Sequence, residues 1–546
     1  MQDLFGGFKR HTEALRRAER PRRTISISGP TPLALVYPNS YATGMSSLGF
    51  QTVYRLFNER PVFHSERVFI YENPFAFFPY TFDSIRALRN QRIIAFSNAY
   101  ELDYVNILRL LKSAGIPLLA AERGELDPLV ILGGVTSFYN PTVMAPVADV
   151  IFVGEGESLI PRFAEVYEQW LGRGAKKEEL LTSLADLQGL YVPAVHGLQP
   201  NGLTVRRQFF DIAGQPPATS VLIPGEASLR MFLVEVGRGC GRGCRFCAAG
   251  HVYQPFRLWP VEAILAAVEQ YARPGDRVGL VGAALSDYRQ LDHLCAALLE
   301  KGHKIALSSL RADRITADLL AALAASDIFT VTLAPEAGTE RLRRLIHKNL
   351  TEEQIVNAVR QIADSAVNSL KLYFMIGLPS ETSEDLDGII RLARELTPIF
   401  LRKGKNRELR FSVNTFVPKP GTPFQWSRMA TEKEIREKRR HLDYLVKKIP
   451  GAKMTRKSGR EELQQGILSV GDHRVGLELV ERIARGEDGS RLHEEWSDWL
   501  HRDKDIDEEL PWDFVQGGIS KAALGANWRA ATPRRDNTGL SCQDHS

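Results

Sequence analysis

Only five cysteines occur in 546 residues, and no apolar run approaches the roughly 18–20 residues that a membrane-spanning helix needs. The N-terminal text MQDLFGGFKRHTEALRRAERPRR is basic but has no apolar stretch ahead of a small-residue cleavage site, so it does not read as a secretory signal. These absences point to a cytoplasmic chain with no membrane partner. Net charge is equally sparse. Lys+Arg at 70 against Asp+Glu at 65 leaves +5, too little over this length to imply a nucleic-acid partner by itself. No repeat of solenoid length is present. With 44% hydrophobic and 25% charged residues, the composition excludes a mostly disordered, fibrous or disulfide-stapled chain. The length predicts about three or four domains.

What is present is alternation. LALVY (33–37), RIIAFS (92–97), LVILGG (129–134) and VIFVGEGE (150–157) read as buried strands, with helical text such as LGFQTVYRLFNE and YVNILRLLKSAG between them. Strand–helix alternation predicts a parallel sheet covered on both faces, with ligands at the C-terminal strand edges. A second series follows: strands at 232–236, 277–282, 304–309, 328–333, 370–376 and 408–413, separated by amphipathic helices. Six such units predict a partly closed (βα)₆ barrel whose chemistry sits at the strand C-termini. The expected organisation is α/β: a basic N-terminal arm (1–30), read as a solvated lead-in; a Rossmann-like parallel sheet (31–160); a helical linker and connector (161–227); a TIM-like partial barrel (228–428); a small, mostly helical C-terminal domain (429–525); and a flexible tail (526–546). LPWDF (510–514) reads as an apolar dock.

Three of the five cysteines fall within eight residues. The text Val236-Gly-Arg-Gly-Cys240-Gly-Arg-Gly-Cys244-Arg-Phe-Cys247 follows the first strand of the second series. Three thiolates in one tight loop can ligate three irons of a [4Fe–4S] cube and leave the fourth iron open. Glycines let the backbone wrap closely. The competing readings are a zinc site with His251 as fourth ligand, or three structural thiols. Cys295, in LDHLCAALL, reads as buried core, and Cys542 stands alone near the end.

This segment resembles the radical S-adenosylmethionine superfamily, whose signature is C-x3-C-x-aromatic-C at the end of the first barrel strand. Phe246 fills the aromatic position. The resemblance covers about residues 228–428. It implies that Cys240, Cys244 and Cys247 hold the cluster and that the open iron chelates the amino and carboxylate groups of S-adenosylmethionine. One electron, from a reductant such as flavodoxin or ferredoxin, then breaks a C–S bond and releases a 5′-deoxyadenosyl radical. Such chemistry is anaerobic. Further cofactor contacts follow by matching. Gly282-Ala283-Ala284 stands where many relatives have Gly-Gly-Glu, so the amino-group contact is expected from backbone alone. Ser308-Ser309-Leu310-Arg311 places Ser309 and Arg311 near the cofactor. Glu336 ends the fourth strand, and Ile376-Gly377 belongs to a fifth-strand motif flanking adenine.

Residues 31–160 resemble the cobalamin-binding domain that precedes the radical core in one large branch, here an uncharacterised bacterial one. The resemblance implies contacts from Asn39, Tyr41, Gly44, Ser97, Tyr100, Gly133, Gly134, Thr136, Gly154 and Glu155. The glycines would leave room for the dimethylbenzimidazole tail. One departure matters. The usual Asp-x-His-x-x-Gly loop reads Asn39-Ser40-Tyr41-Ala42-Thr43-Gly44, so no imidazole reaches cobalt from below. No G-x-G-x-x-G opens a helix, which argues against a dinucleotide site.

Three functions remain open at this point. The first is cobalamin-dependent methyl transfer to an unactivated carbon or phosphorus. The second is radical modification of RNA or the ribosome (or a cyclase or rearrangement) without methylcobalamin, with RNA held by the basic run 402–460. The third is electron transfer, which needs four cluster ligands. Phe416, Phe424 and Trp426 are candidates for a substrate wall or for packing. No substrate or product follows from the text.

Overall fold

A computed structural model describes residues 2–200, 202–212, 214–223, 231–307, 309–404, 406–456, 459–489, 492 and 494–532. Ser308 and Cys542 lie outside the described residues, as does Lys405 in the basic run.

The N-terminal sheet is built from β1 (Thr31–Ser40), β2 (Phe63–Ile70), β3 (Ile93–Ser97), β4 (Leu129–Gly133), β5 (Val150–Phe152) and β6 (Leu190–Tyr191), in the order β2-β1-β3-β4-β5-β6. Only β6 runs antiparallel to its neighbour. The apolar runs arise because both faces are covered. Ala34, Val36, Ile94 and Phe96 face helix α3 (Tyr104–Ser113) in one core, while Leu33, Leu35, Ile93 and Ala95 share a second core with α2 (Leu48–Asn58) and α4 (Gly156–Arg173). Each such buried side chain contributes about 1.5–3 kcal/mol. Strand order reverses between β1 and β3, the point where ligands of doubly wound sheets lie.

The second unit has two parallel halves. β7 (Met231–Glu235), β8 (Arg277–Val281) and β9 (Lys304–Ala306) form one. β10 (Thr330–Glu336), β11 (Ser369–Ile376), β12 (Glu408–Thr415) and β13 (Ala452–Arg456) form the other. A parallel bridge between Leu310 and Leu333 joins them. Alternation along β11 buries Leu370, Leu372, Phe374 and Ile376 against helices and turns Lys371, Tyr373 and Met375 the other way. Helix α5 (Val261–Tyr271) follows β7, α6 (Leu291–Glu300) follows β8, and Cys295 on α6 is fully buried. The long helices start at side-chain caps: Thr351 with Gln354 before Glu352–Asp364, and Thr431 with Glu434 before Glu432–Val446.

Three elements differ from expectation. β2 extends the first sheet outward, and β13 adds a seventh parallel strand to the barrel within a segment read as helical. The N-terminal arm is not solvated either. Helix α1 (Gln2–Ala18) buries Phe8 completely against Tyr71 and Phe78. LPWDF does dock: Leu510 and Trp512 are buried, and Trp512 Nε1 donates to Gln425 Oε1 at 2.7 Å. No helix among the described residues is long and apolar enough to cross a membrane.

Candidate active site

Both strand edges meet at one cavity of about 760 Å³. From the first sheet it is lined by Tyr37, by Ser97-Asn98 after β3, by Gly133-Gly134 after β4 and by Gly154–Glu157 after β5. Leu233, Glu235, Gly279, Gly282 and Ala283 line it from the barrel, and Gly237–Gly239 from the stem of the cysteine loop.

The stem is a two-residue antiparallel pair, Gly237–Arg238 with Arg257–Leu258. Gly239 has φ +79°, and a Cβ there would lie 2.3 Å from the Tyr253 carbonyl oxygen, so only glycine closes this turn. Within the loop the Cys247 amide donates to the Cys244 carbonyl at 3.0 Å. The Cys244 thiol faces the His347 carbonyl at 3.7 Å, and Gln254 Nε2 donates to the Gly250 carbonyl at 2.6 Å. All three cysteines are free thiols. Burial pushes Cys244 up to about 11 and raises Cys247 as well. Metal ligation deprotonates such thiols outright. Among the described residues, no three His, Cys, Asp or Glu side chains converge to hold a single metal ion. His251 sits with Nδ1 2.9 Å from the Cys247 carbonyl, bracing the loop.

The residues matched to S-adenosylmethionine fall into three groups. Glu336 ends β10 at a register shift, with φ +72° and a carboxyl raised by burial, and Lys348 Nζ donates to it at 3.2 Å. Its charge is felt at Cys244 and Cys247, so it belongs to the loop's surroundings. Arg311 is chelated by Asp313 and reaches the Lys348 carbonyl at 3.3 Å. Gly282 and Ala283 line the cavity. Ser309 is exposed. Ile376 is core, and the Gly377 amide donates to the Glu381 carboxylate at 3.0 Å. Phe246 packs beside Ile346, Leu378 and Phe416. Phe416, Phe424 and Trp426 are fully buried, with Phe416 and Phe424 in an edge contact at 5.8 Å, which makes them packing and not a wall.

Of the residues matched to cobalamin, Ser97, Gly133, Gly134, Gly154 and Glu155 line the cavity. Asn39, Tyr41, Gly44, Tyr100 and Thr136 do not. Tyr41 turns away to donate to Glu19 Oε1 at 3.0 Å and stacks on Phe82, because burial against the second core outweighs any pull toward the cavity. Asn39 Nδ2 donates to Asp103 Oδ1 at 2.9 Å, and Thr136 accepts from Asn98 Nδ2 at 2.9 Å. Tyr100 reaches Gln465 at 3.4 Å. The two glycines after β4 differ. A Cβ on Gly133 would meet nothing nearer than 3.7 Å, whereas on Gly134 it would strike the Asn98 carbonyl oxygen at 2.1 Å. Gly133 leaves room; Gly134 serves the backbone. Asn98 shares the strand edge with Ser97 but was not among the residues matched to cobalamin. It lines the cavity, is fully buried, and its Oδ1 has no hydrogen-bond partner among the described residues. Glu155 is spent on Arg238 and Arg257.

Part of the basic run is paired. Arg402 and Lys403 pair with Asp364, Arg410 with Glu408, Arg436 with Glu432, Lys438 with Glu381 and Arg439 with Glu462. Arg407 caps the Ala363 and Ser365 carbonyls.

Comparison with known proteins finds a family match in each of the two sheet-bearing units. Residues 49–193 match the family described as radical SAM proteins, N-terminal, and residues 234–393 match the radical SAM superfamily. The chain is similar to the uncharacterized protein MJ0966 of Methanocaldococcus jannaschii, at 29% identity over 82% of this chain and 90% of that one. It is also similar to the ribosomal protein uS12 methylthiotransferase RimO of Thermodesulfovibrio yellowstonii, at 25% identity over 30% of this chain, and spans only 41% of that enzyme. Among solved structures it overlays on the cobalamin-dependent S-adenosylmethionine radical enzyme OxsB with aqua-cobalamin and S-adenosylmethionine bound. The TM-score is 0.48 at 14% identity, covering 91% of this chain and 79% of OxsB.

Proposed function

Because the chain belongs to the radical S-adenosylmethionine superfamily, we propose that it is a cobalamin-dependent methyltransferase acting on an unactivated carbon or phosphorus centre. Cys240, Cys244 and Cys247 would hold the [4Fe–4S] cluster, and Glu336, Arg311, Gly282 and Ala283 would meet S-adenosylmethionine. When bound, the two groups would supply one-electron cleavage of the sulfonium C–S bond, into methionine and a 5′-deoxyadenosyl radical, and a carrier for the methyl group. The observation that carries the reading is the shared cavity: the switch point of the first sheet and the cysteine stem open into one space. Its lining fits an amide-rich, neutral group, since the Asn98 Oδ1 acceptor needs a donor and Gly133 leaves volume.

The protein's own residues have defined tasks. Glycines 237 and 239 let the stem strand approach Arg257–Leu258 and the Tyr253 carbonyl closely, and His251 and Gln254 fix the loop's carbonyls. Lys348 donates to the Glu336 carboxyl and partly offsets the upward push of burial on it. Of the three thiols Cys244 is buried, while Cys240 and Cys247 are half-buried. Superfamily members need an external reductant, and flavodoxin or ferredoxin would serve. The RNA- or ribosome-modifying alternative draws on the similarity to RimO, a ribosomal protein methylthiotransferase, and on the basic run 402–460, part of whose cations are paired with acids.

The test is anaerobic reconstitution with iron and sulfide, then addition of S-adenosylmethionine, hydroxocobalamin and a chemical reductant. The wild-type chain should release 5′-deoxyadenosine and form S-adenosylhomocysteine. Single Cys→Ala variants at 240, 244 or 247 should lose both products together with bound iron. Cleavage that survives in those variants would remove the cluster assignment. Deoxyadenosine without S-adenosylhomocysteine would leave a radical enzyme that does not transfer methyl groups.

A further inference from the structure

The stem of the cysteine loop carries a like-charge pair. In its antiparallel register Arg238 stands directly opposite Arg257, and like charges across a strand pair repel. Both guanidiniums are largely buried, at 13% and 8% side-chain exposure, so water screens them poorly. Glu155, from the loop after β5 in the other unit, lies between them. Its Oε2 accepts from Arg238 Nη1 at 2.8 Å and from Arg257 Nη1 at 3.0 Å. Oε1 accepts from Arg257 Nη2 at 2.6 Å, and the Phe210 amide adds a fourth donor at 2.8 Å. The two arginines are not equally dependent on it. Arg238 has Glu157 and Glu235 as further partners, whereas among the described residues Arg257 otherwise meets no second carboxylate and reaches the Pro255 and Phe210 carbonyls and the face of the Phe209 ring. Removing Glu155 would therefore strand Arg257 as a buried cation facing another cation.

We infer that Glu155 is a positioning residue for the cluster loop: a carboxylate supplied by the N-terminal sheet clamps the opposed arginines and closes the stem in which Cys240, Cys244 and Cys247 are held. The inference rests on the cluster assignment above for its iron readout, but not for its structural one. It ties cluster assembly to docking of the two units, since the clamp exists only where the end of β5 meets the stem. Glu155 and Arg238 also line the cavity, so whatever fills it presses on the same clamp.

A double-mutant cycle tests this with Glu155→Gln, Arg257→Met and the double variant, each as the full chain. Two quantities are read: hydrogen exchange of the 237–258 amides without iron, and iron bound per chain after anaerobic reconstitution, with the electron paramagnetic resonance change on adding S-adenosylmethionine as signature. Glu155→Gln should speed exchange in the stem by about tenfold or more, with the remaining core amides protected as before, and should reduce iron to below about half of wild type. In the Arg257→Met background the same substitution should have a clearly smaller effect, because the repulsion is gone. Glu155→Asp should recover part of the loss. Equal effects of Glu155→Gln in both backgrounds, or wild-type exchange in the single variant, would overturn the clamp. If the wild-type chain itself binds no iron through the cysteines while the exchange pattern holds, the cluster assignment falls and the clamp stands.

Discussion

Asp103 shows how a single side chain near the cavity is set by burial. It follows β3, and its Oδ1 accepts from Asn39 Nδ2 at 2.9 Å and from Asn106 Nδ2 at 3.3 Å. Neither donor is charged. Burial outweighs both and pushes the carboxyl from 3.8 up to about 6. An acid with a raised folded pKa stabilises the fold fully below its unfolded pKa and loses that contribution as pH rises through the folded one. The loss here falls between about pH 4 and pH 6. Asp103→Asn keeps an acceptor for Asn39 and never ionises. It should match wild type near pH 4 and exceed it by about 1–3 kcal/mol at pH 8. Urea unfolding at the two pH values decides. A difference that does not change with pH would mean that the carboxyl is solvated and unshifted.

Among the elements, helix α1 gives the sharpest contrast between sequence and structure. The seven basic residues of the arm through Arg23, four of them on α1, disguise an inward face, on which Phe8 and Thr12 are fully buried. Phe8→Ala should cost about 3–5 kcal/mol in chemical denaturation, where a solvated arm would cost almost nothing. β1, β3 and β4 were legible because burial on both faces writes them as plain apolar runs, and β10, β11 and β12 because their buried residues alternate along the strand. The cysteine loop was legible because its chemistry is local in sequence. β2 was not, since FHSERVFI buries Glu66 and Arg67 in its centre. Their charges are met from afar, Arg67 by Glu19 and Asp83, and Glu66 by Ser84. Buried charge erases the hydrophobic pattern that marks a strand. β13 was hidden similarly: AKMTR is short and charged, and Lys453 pairs with Glu408 on the neighbouring strand. The role of Glu155 was illegible because its partners lie 83 and 102 residues away.

At the scale of the whole molecule, two parallel sheets turn their C-terminal edges toward one space, and this separates the two cofactor assignments experimentally. Gly133 ends β4 on the cavity wall, far in sequence from the cysteines, and has ordinary backbone geometry. A side chain there enters open volume, with Phe152 Cβ the nearest atom at 3.7 Å. Gly134 is unsuitable for the same purpose, because its φ of +108° and the Asn98 carbonyl at 2.1 Å make any substitution a loop defect. Gly133→Leu should therefore fold normally and take up iron as wild type does, yet fail to retain hydroxocobalamin on gel filtration. Wild-type retention by this variant would place cobalamin elsewhere. Loss of iron along with cobalamin would mean that filling the cavity disturbs the stem through Glu155 and Arg238, so the two sites act as one structural unit. Equal folding, full iron and absent corrin absorbance is the result expected if the cavity's sheet side takes cobalamin while the barrel side keeps its own cofactors.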